Sequence, residues 1–213
     1  SKTLQHFLCR IVEMSKEFKL SDDVLAKFQD IDKFLLYKWA RVFSLFFDTN
    51  ASKGVDWSDF YLVARKARDI YGADSVQMKF AKSSLNVLWE GLRETADTNN
   101  DNIISLTEWI ELLRKTNSEQ LPKWLQDYCG YMFKLFDVSC DGVIDVVEYA
   151  DGMSSYGYSA DLAKDAFQNF AKDSKGNNLI TFGPEHWNKL FHDYFFSKDS
   201  NALGNHLFGT LNL

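Results

Sequence analysis

Four short acidic or polar segments recur along the chain, each between stretches whose apolar residues follow a helical period. The segments begin at Asp48, Asp97, Asp137 and Asp173, so the repeat spacings are 49, 40 and 36 residues. A repeat of this length holds one helix–loop–helix unit, and such a unit buries its apolar face only by packing on its neighbours. The sequence therefore predicts an all-α protein of four helix–loop–helix units, arranged in two pairs within one compact globule.

The composition supports a folded domain and argues against several functions. Of the 213 residues, 46% are hydrophobic, which suffices for a large core. The net charge of −6 disfavours nucleic-acid binding. No apolar run reaches the roughly 18 residues of a membrane-spanning helix. The three cysteines suit neither a disulfide framework nor a zinc site, which indicates the reducing cytoplasm. We also expect a monomer.

The sequence divides into an N-terminal extension and two paired halves. Residues 1–20 carry apolar residues at helical spacing, which predicts an amphipathic helix. Ser21 is expected to cap the next helix. The polar segment 115–122 ends in proline and predicts a junction between the halves. One half is then 21–116, with the first two loops, and the other is 117–213, with the last two loops and the C-terminal tail.

The third acidic segment, residues 137–148, matches the twelve-residue calcium-binding loop of EF-hand proteins at every diagnostic position. That loop supplies oxygen atoms from positions 1, 3, 5, 7, 9 and 12, and Ca²⁺ prefers about six to eight such ligands. Position 6 is Gly142, which adopts the left-handed backbone of the sharp turn without steric cost. The predicted ligands are Asp137, Ser139, Asp141, the carbonyl of Val143, Asp145 and Glu148.

The second segment, residues 97–108, has Asn102 at position 6, and asparagine is the best substitute for glycine in a left-handed conformation. It offers three carboxylates against four in the third loop, so we expect it to bind an ion less tightly. The predicted ligands are Asp97, Asn99, Asp101, the carbonyl of Ile103, Ser105 and Glu108.

The first segment, residues 48–59, departs further from the pattern. Lys53 occupies position 6, and Asp59 replaces glutamate at position 12. Because aspartate is shorter, we expect it to reach an ion with one oxygen, which favours Mg²⁺ or weak Ca²⁺ binding. This loop is therefore ranked last in affinity. The predicted ligands are Asp48, Asn50, Ser52, the carbonyl of Gly54, Asp56 and Asp59.

The fourth segment, residues 173–184, is expected to bind no ion. Lys175 stands where position 3 needs an oxygen, and Pro184 stands at position 12. Ile180 fills position 8, as Ile144 does in the third loop. We therefore expect these two loops to pair through short strands.

Together with the loops, several stretches of the chain resemble the calexcitin family, within the invertebrate sarcoplasmic calcium-binding proteins. The resemblance rests on residues 88–93, 121–125 and above all 204–213, and it covers nearly the whole chain after about residue 30. It implies a four-EF-hand protein of the cytosol that acts as a calcium buffer or a neuronal signal carrier. The four methionines are scattered, which argues against the Met-rich groove of a calcium sensor.

Two other functions stay open. The chain also resembles the insect juvenile hormone diol kinases, calexcitin-like phosphotransferases, although it contains no Gly-x-x-x-x-Gly-Lys-Ser/Thr phosphate loop. Its 18 Phe, 9 Tyr and 6 Trp residues suit a packed core, and they also suit a cavity for an apolar ligand, as in related luciferin-binding proteins. No catalytic Ser, His and Asp set is evident, so we predict a calcium-binding protein rather than an enzyme.

Overall fold

The computed structural model describes residues 18–211, and most of this range is helical. The α-helices of the described range are α1 (Asp22–Lys27), α2 (Lys33–Val42), α3 (Trp57–Tyr71), α4 (Val76–Ala96), α5 (Leu106–Lys115), α6 (Lys123–Phe136), α7 (Val146–Ser154), α8 (Ala160–Phe170) and α9 (Pro184–Phe196). Its strands are β1 (Gly54–Val55), β2 (Ile104–Ser105), β3 (Ile144–Asp145) and β4 (Thr181–Phe182). A π-helical turn, Phe43–Phe47, extends α2, and a 3₁₀ turn, Leu203–His206, follows α9. The predicted all-α class is confirmed.

The N-terminal amphipathic helix predicted for residues 1–20 lies outside the described residues, apart from residues 18–20, which are not helical. Ser21 caps α1 as predicted, because its side chain accepts a hydrogen bond from the backbone N–H of Val24. None of the helices in the described range is both long and apolar enough to cross a membrane.

The described residues form two compact units. One comprises residues 21–135 and holds the first two loops; the other comprises residues 136–211 with residues 18–20 and holds the last two loops. The polar segment 115–122 begins with the last residue of α5, ends directly before α6 and lies inside the first unit. The division of the chain at residue 116 stays a prediction.

In the first unit the two loops pair through β1 and β2. Val55 lies opposite Ile104 in this antiparallel pair, and both side chains are buried. The indole N–H of Trp109 donates a buried hydrogen bond to the carbonyl of Trp39 at 2.9 Å. The Trp109 ring lies 4.7 Å from the ring of Phe47. The start of α5 is therefore anchored in an aromatic core directly behind the second loop.

In the second unit, β3 pairs with β4, and the C-terminal tail packs on the helices. The ring of Tyr149 lies 5.0 Å from that of Phe170 in an edge-to-face contact. Its hydroxyl donates to the carbonyl of Leu207 at 2.8 Å. The hydroxyl of Tyr158 donates to the carbonyl of Phe208 at 3.0 Å. Two tyrosines thus attach the tail to the core of this unit.

The prediction that the third and fourth loops pair through short strands is confirmed, but Ile180, the residue predicted for position 8, is not part of the strand. Phe182 lies opposite Ile144 and is buried, whereas Ile180 is 87% exposed. The cause is the length of the fourth loop, which forms a small closed turn of its own through a bridge between Lys172 and Asn178. That turn moves the strand two residues further along the chain than a twelve-residue loop would place it.

The tail approaches α9 too closely for any side chain at residue 204. A Cβ atom on Gly204 would overlap the carbonyl oxygen of Leu190. We therefore expect Gly204→Ala to lower the free energy of unfolding by about 1–3 kcal/mol, through overpacking. Thermal unfolding followed by circular dichroism measures the change.

Gly130→Ala is the matched control, since nothing lies within 4 Å of a Cβ added there. Gly130 is inside α6, where alanine is favoured over glycine by about 1 kcal/mol. Equal melting temperatures for the two variants would contradict the packing argument.

Candidate calcium-binding loops

The backbone takes the same shape in the first three loops. Positions 4 and 6 of each loop have a left-handed φ, between 58° and 87°. The residues concerned are Ala51, Asn100 and Cys140 at position 4, and Lys53, Asn102 and Gly142 at position 6. Six such residues at matching positions support the register assigned from the sequence. A left-handed conformation costs a residue with a Cβ about 1–2 kcal/mol, and Lys53 bears this cost in the first loop.

The aspartate at position 1 organises each loop. Its two carboxylate oxygens accept hydrogen bonds from the backbone N–H groups of positions 5 and 6. For Asp137 both bonds are 3.1 Å long; for Asp48 both are 2.9 Å, and for Asp97 they are 3.2 and 2.9 Å. Because a carboxylate oxygen has two lone pairs, each of these oxygens keeps acceptor capacity beyond that bond.

The carboxylate at position 12 ties together the two ends of each loop. One oxygen of Asp59, Glu108 and Glu148 accepts from the N–H of position 9, at 3.0, 2.9 and 3.2 Å respectively. The other oxygen accepts from an N–H at position 2 or 3, at 2.9, 3.1 and 2.9 Å. Position 9 is also the N-cap of the following helix, so the pair forms a capping box at the start of α3, α5 and α7.

Asp59 is the most buried acid of the three loops, at 1% exposed. Burial raises the pKa of its carboxyl above the usual value, and the nearby charges of Asp48 and Asp56 raise it further, against two backbone hydrogen bonds. A divalent cation would favour the charged form of such a group. The first loop thus concentrates negative charge where water provides little screening.

Glu108 lies in a similar position in the second loop and is 9% exposed. Burial raises the pKa of this carboxyl, but hydrogen bonds from Ser105 and Thr98 outweigh burial, so the pKa is lowered overall. Hydrogen bonding within the loop therefore favours the ionised form of Glu108.

The remaining predicted ligands are partly engaged with one another. The hydroxyl of Ser52 donates to the carbonyl of Gly54 at 2.9 Å, and the side-chain oxygen of Asn99 accepts from the N–H of Asp101 at 2.9 Å. Within residues 18–211, no three Asp, Glu, His or Cys side chains converge closely enough to hold a metal on their own. The predicted sets also use amide, hydroxyl and carbonyl oxygens, which suit a hard cation. The individual ligands stay predictions.

The fourth loop closes on itself. Asp173 accepts hydrogen bonds from the N–H of Lys175 at 2.8 Å and from both the backbone and the side-chain amide of Asn177, at 2.9 and 2.8 Å. Its own N–H donates to the carbonyl of Asn177 at 2.9 Å. These bonds, with those from Asn177 the largest cause, lower the pKa of Asp173. The one aspartate of this segment is thus used to close the turn.

The structure also corrects the position of Pro184. This residue begins α9, with Gly183 as the N-cap, so it does not occupy position 12. The third helical residue, which is a carboxylate in the other three units, is His186. Trp187 follows it and is fully buried, as Trp109 is after Glu108. In the first three loops an aromatic residue directly follows position 12. By the same rule, Trp187 in the sequence indicates that His186 corresponds to position 12.

His186 lies against the aromatic core of the second unit. Its ring is 5.4 Å from that of Phe182, and its Nε2 is buried with no hydrogen-bond partner among the described residues. Burial lowers the pKa of the imidazole and the charge of Lys189 lowers it further, against a hydrogen bond with the Phe170 backbone and the charge of Asp193. A neutral ring therefore stands where the other units place a carboxylate.

Helix–loop–helix units joined by paired two-residue strands, with capping-box carboxylates at position 12, define the EF-hand class. No family model matches the sequence. The chain is 55% identical to calexcitin-1 of Caenorhabditis elegans over 190 residues, which is 89% of this chain and 93% of the relative. It is 26% identical to the sarcoplasmic calcium-binding proteins I, III and IV of Branchiostoma lanceolatum, over 84% of this chain and 98% of theirs. The solved structure of an amphioxus sarcoplasmic calcium-binding protein superposes with a TM-score of 0.70 at 22% identity, over 84% of this chain and 98% of that one.

The high identity over most of both chains shows the family. The chain belongs to the calexcitin family of EF-hand calcium-binding proteins. The resemblance seen in the sequence is thereby confirmed.

We expect the lowered pKa of His186 to make stability depend on pH. The unfolded chain takes up a proton on this histidine near pH 6.5, whereas the folded chain takes it up only at lower pH. The free energy of unfolding should therefore fall as the pH drops below about 6.5. Thermal unfolding of the ion-free protein, measured between about pH 7.5 and 5.5, tests this dependence.

His186→Gln is the matched variant, because glutamine has no titration in this range. The loss of stability on acidification should be smaller in the variant than in the natural protein. Identical pH dependence in both proteins would show that His186 is not responsible.

Proposed function

We propose that this protein binds one divalent cation in each of the loops 48–59, 97–108 and 137–148 and none in 173–184. It acts without catalysis in the cytosol, as a monomeric calcium buffer or signal carrier. The observation that carries the proposal is the common geometry of the three loops. Each has left-handed residues at positions 4 and 6, an aspartate at position 1 bonded to the N–H groups of positions 5 and 6, and a position-12 carboxylate that closes the loop.

The three loops are proposed to differ in affinity. The third has four carboxylates and glycine at position 6, so it binds Ca²⁺ most tightly. The second has three carboxylates, and its Asn102 tolerates the left-handed turn. The first has the shorter Asp59 and the strained Lys53, and it is the loop in which Mg²⁺ competes best.

Ion binding is expected to stabilise the folded chain. Three divalent cations carry a total charge of +6, which equals in magnitude the net charge of −6. The ions bind the folded loops and not the unfolded chain, so they shift the folding equilibrium by mass action. The burial of Asp59 and Glu108 supports this view, since a cation favours the charged form of a buried carboxylate.

A buffer is favoured over a sensor by the packing of the methionines. Met132 and Met153 are fully buried, and the largest fully buried side chains of the described residues are aromatic, apart from Lys38. A sensor needs a flexible Met-rich groove that opens on calcium binding. Aromatic side chains in edge-to-face contact, such as Phe136 and Tyr149 at 5.3 Å, are less able to repack.

Calorimetric titration of the natural protein with CaCl₂ should show three ions per chain, and Mg²⁺ should occupy the weakest site.

We expect Glu148→Gln to reduce the stoichiometry by one, because the neutral amide cannot replace a carboxylate that binds through both oxygens. Glu185→Gln is the matched control, since Glu185 is an exposed acid in the first turn of α9. Unchanged stoichiometry in Glu148→Gln would refute the assignment of the third loop.

Lys53→Gly should tighten the first loop for calcium. Glycine adopts a φ of 73° without a Cβ penalty, and the substitution also removes a positive charge near the site. Lys53→Ala separates the two effects, because alanine removes the charge and keeps the penalty. The affinity of the first site should rise in the order Lys, Ala, Gly, and weaker calorimetric binding in Lys53→Gly would contradict the backbone argument.

A further inference from the structure

A threonine hydroxyl at position 2 contacts the position-12 carboxylate in two of the three loops. In the second loop the Oγ1 of Thr98 donates to Oε1 of Glu108 at 2.8 Å. In the first loop the Oγ1 of Thr49 donates to Oδ1 of Asp59 at 3.2 Å. The third loop has a valine, residue 138, at this position.

We infer that Thr98 is a positioning residue for the ion in the second loop. Its hydroxyl holds the side chain of Glu108 in the rotamer that closes the loop, so that the carboxylate is in place before the ion arrives. This inference rests on the proposed function, because it takes the second loop to be an ion site. Hydrogen-bonded partners of this kind orient metal ligands without touching the metal themselves.

The contacts of Glu108 show why the hydroxyl matters. Oε1 accepts from the N–H of Thr98 at 3.1 Å and from its hydroxyl at 2.8 Å, and Oε2 accepts from the N–H and the hydroxyl of Ser105, at 2.9 and 2.8 Å. Ser105 is a predicted ligand, so its side chain has a part in the site itself. Thr98 is not a ligand, and the effect of its hydroxyl passes only through Glu108.

The second and third loops differ in how deeply the carboxylate at position 12 is buried. Glu108 is 9% exposed, whereas Glu148 is half-buried. Water reaches Glu148 and can supply a hydrogen bond there, but it has little access to Glu108. A hydroxyl at position 2 is therefore needed in the second loop and is dispensable in the third, where Val138 stands.

The second loop is the better place to test the inference. In the first loop Thr49 also donates to the backbone carbonyl of Asp59 at 3.0 Å, so its removal would disturb the chain path as well. Thr98 is an exposed residue, and its substitution leaves the buried core untouched. Thr98→Val removes the hydroxyl at almost constant volume, and Thr98→Ser keeps the hydroxyl.

The experiment is a CaCl₂ titration of the full chain, followed by NMR through the backbone amides of Asn102 and Gly142, which report the second and third loops. We expect the calcium midpoint at Asn102 to rise about tenfold in Thr98→Val and to change by less than about twofold in Thr98→Ser. The midpoint at Gly142 should not move. In the ion-free protein, hydrogen exchange of the backbone amide at residue 98 should be faster in Thr98→Val than in Thr98→Ser.

The outcomes separate the two proposals. If the natural protein responds at Asn102 and the valine and serine variants have equal midpoints, or valine binds more tightly, the inference is overturned and the proposed function stands. If Asn102 of the natural protein does not respond to millimolar calcium, the second loop is no ion site and both fail. Unchanged thermal unfolding of Thr98→Val without calcium confirms that the variant is folded.

Discussion

Three of the four helix–loop–helix units depend on the hydrogen bonds of one carboxylate, at position 12 of the loop. This group begins the following helix as part of a capping box, and it holds the start of its loop through a second backbone N–H. The next residue is a buried aromatic, for example Trp109 after Glu108. A shift of the carboxylate by one residue would therefore move a helix start, a loop and a core side chain together, so the geometry of each loop is linked to the packing of its unit.

The fourth unit shows that this architecture can be maintained without a carboxylate at that place. His186 occupies the third position of α9, and its ring packs on Phe182. Phe182 in turn lies opposite Ile144 in the strand pair, and Asp173 closes the loop onto Asn177. An apolar contact and an internal turn thus replace the closure by a carboxylate, and the third loop keeps its strand partner without one.

Much of the fold could be predicted because three loops have equal length and repeat the same residue types. That equality gave the left-handed conformation at position 6 and the strand residue Ile144. Ile180 and Pro184 do not lie at positions 8 and 12, because the fourth loop is longer than the twelve residues that spacing from Asp173 predicts. The contact between Thr98 and Glu108 could not be predicted, since it depends on rotamers and burial that spacing does not determine.

Close packing explains the two glycines of the C-terminal tail. Gly204 lets the chain approach α9, and Gly209 takes a φ of 89° where a Cβ would overlap the ring of Tyr158. Between them, Phe208 is fully buried, and the carbonyl of Leu207 accepts the hydroxyl of Tyr149 at 2.8 Å. Tyr149 directly follows the position-12 carboxylate of the third loop. The third loop and the tail are therefore joined through one residue of α7, so that the packing of the tail also holds the start of the helix that follows this loop.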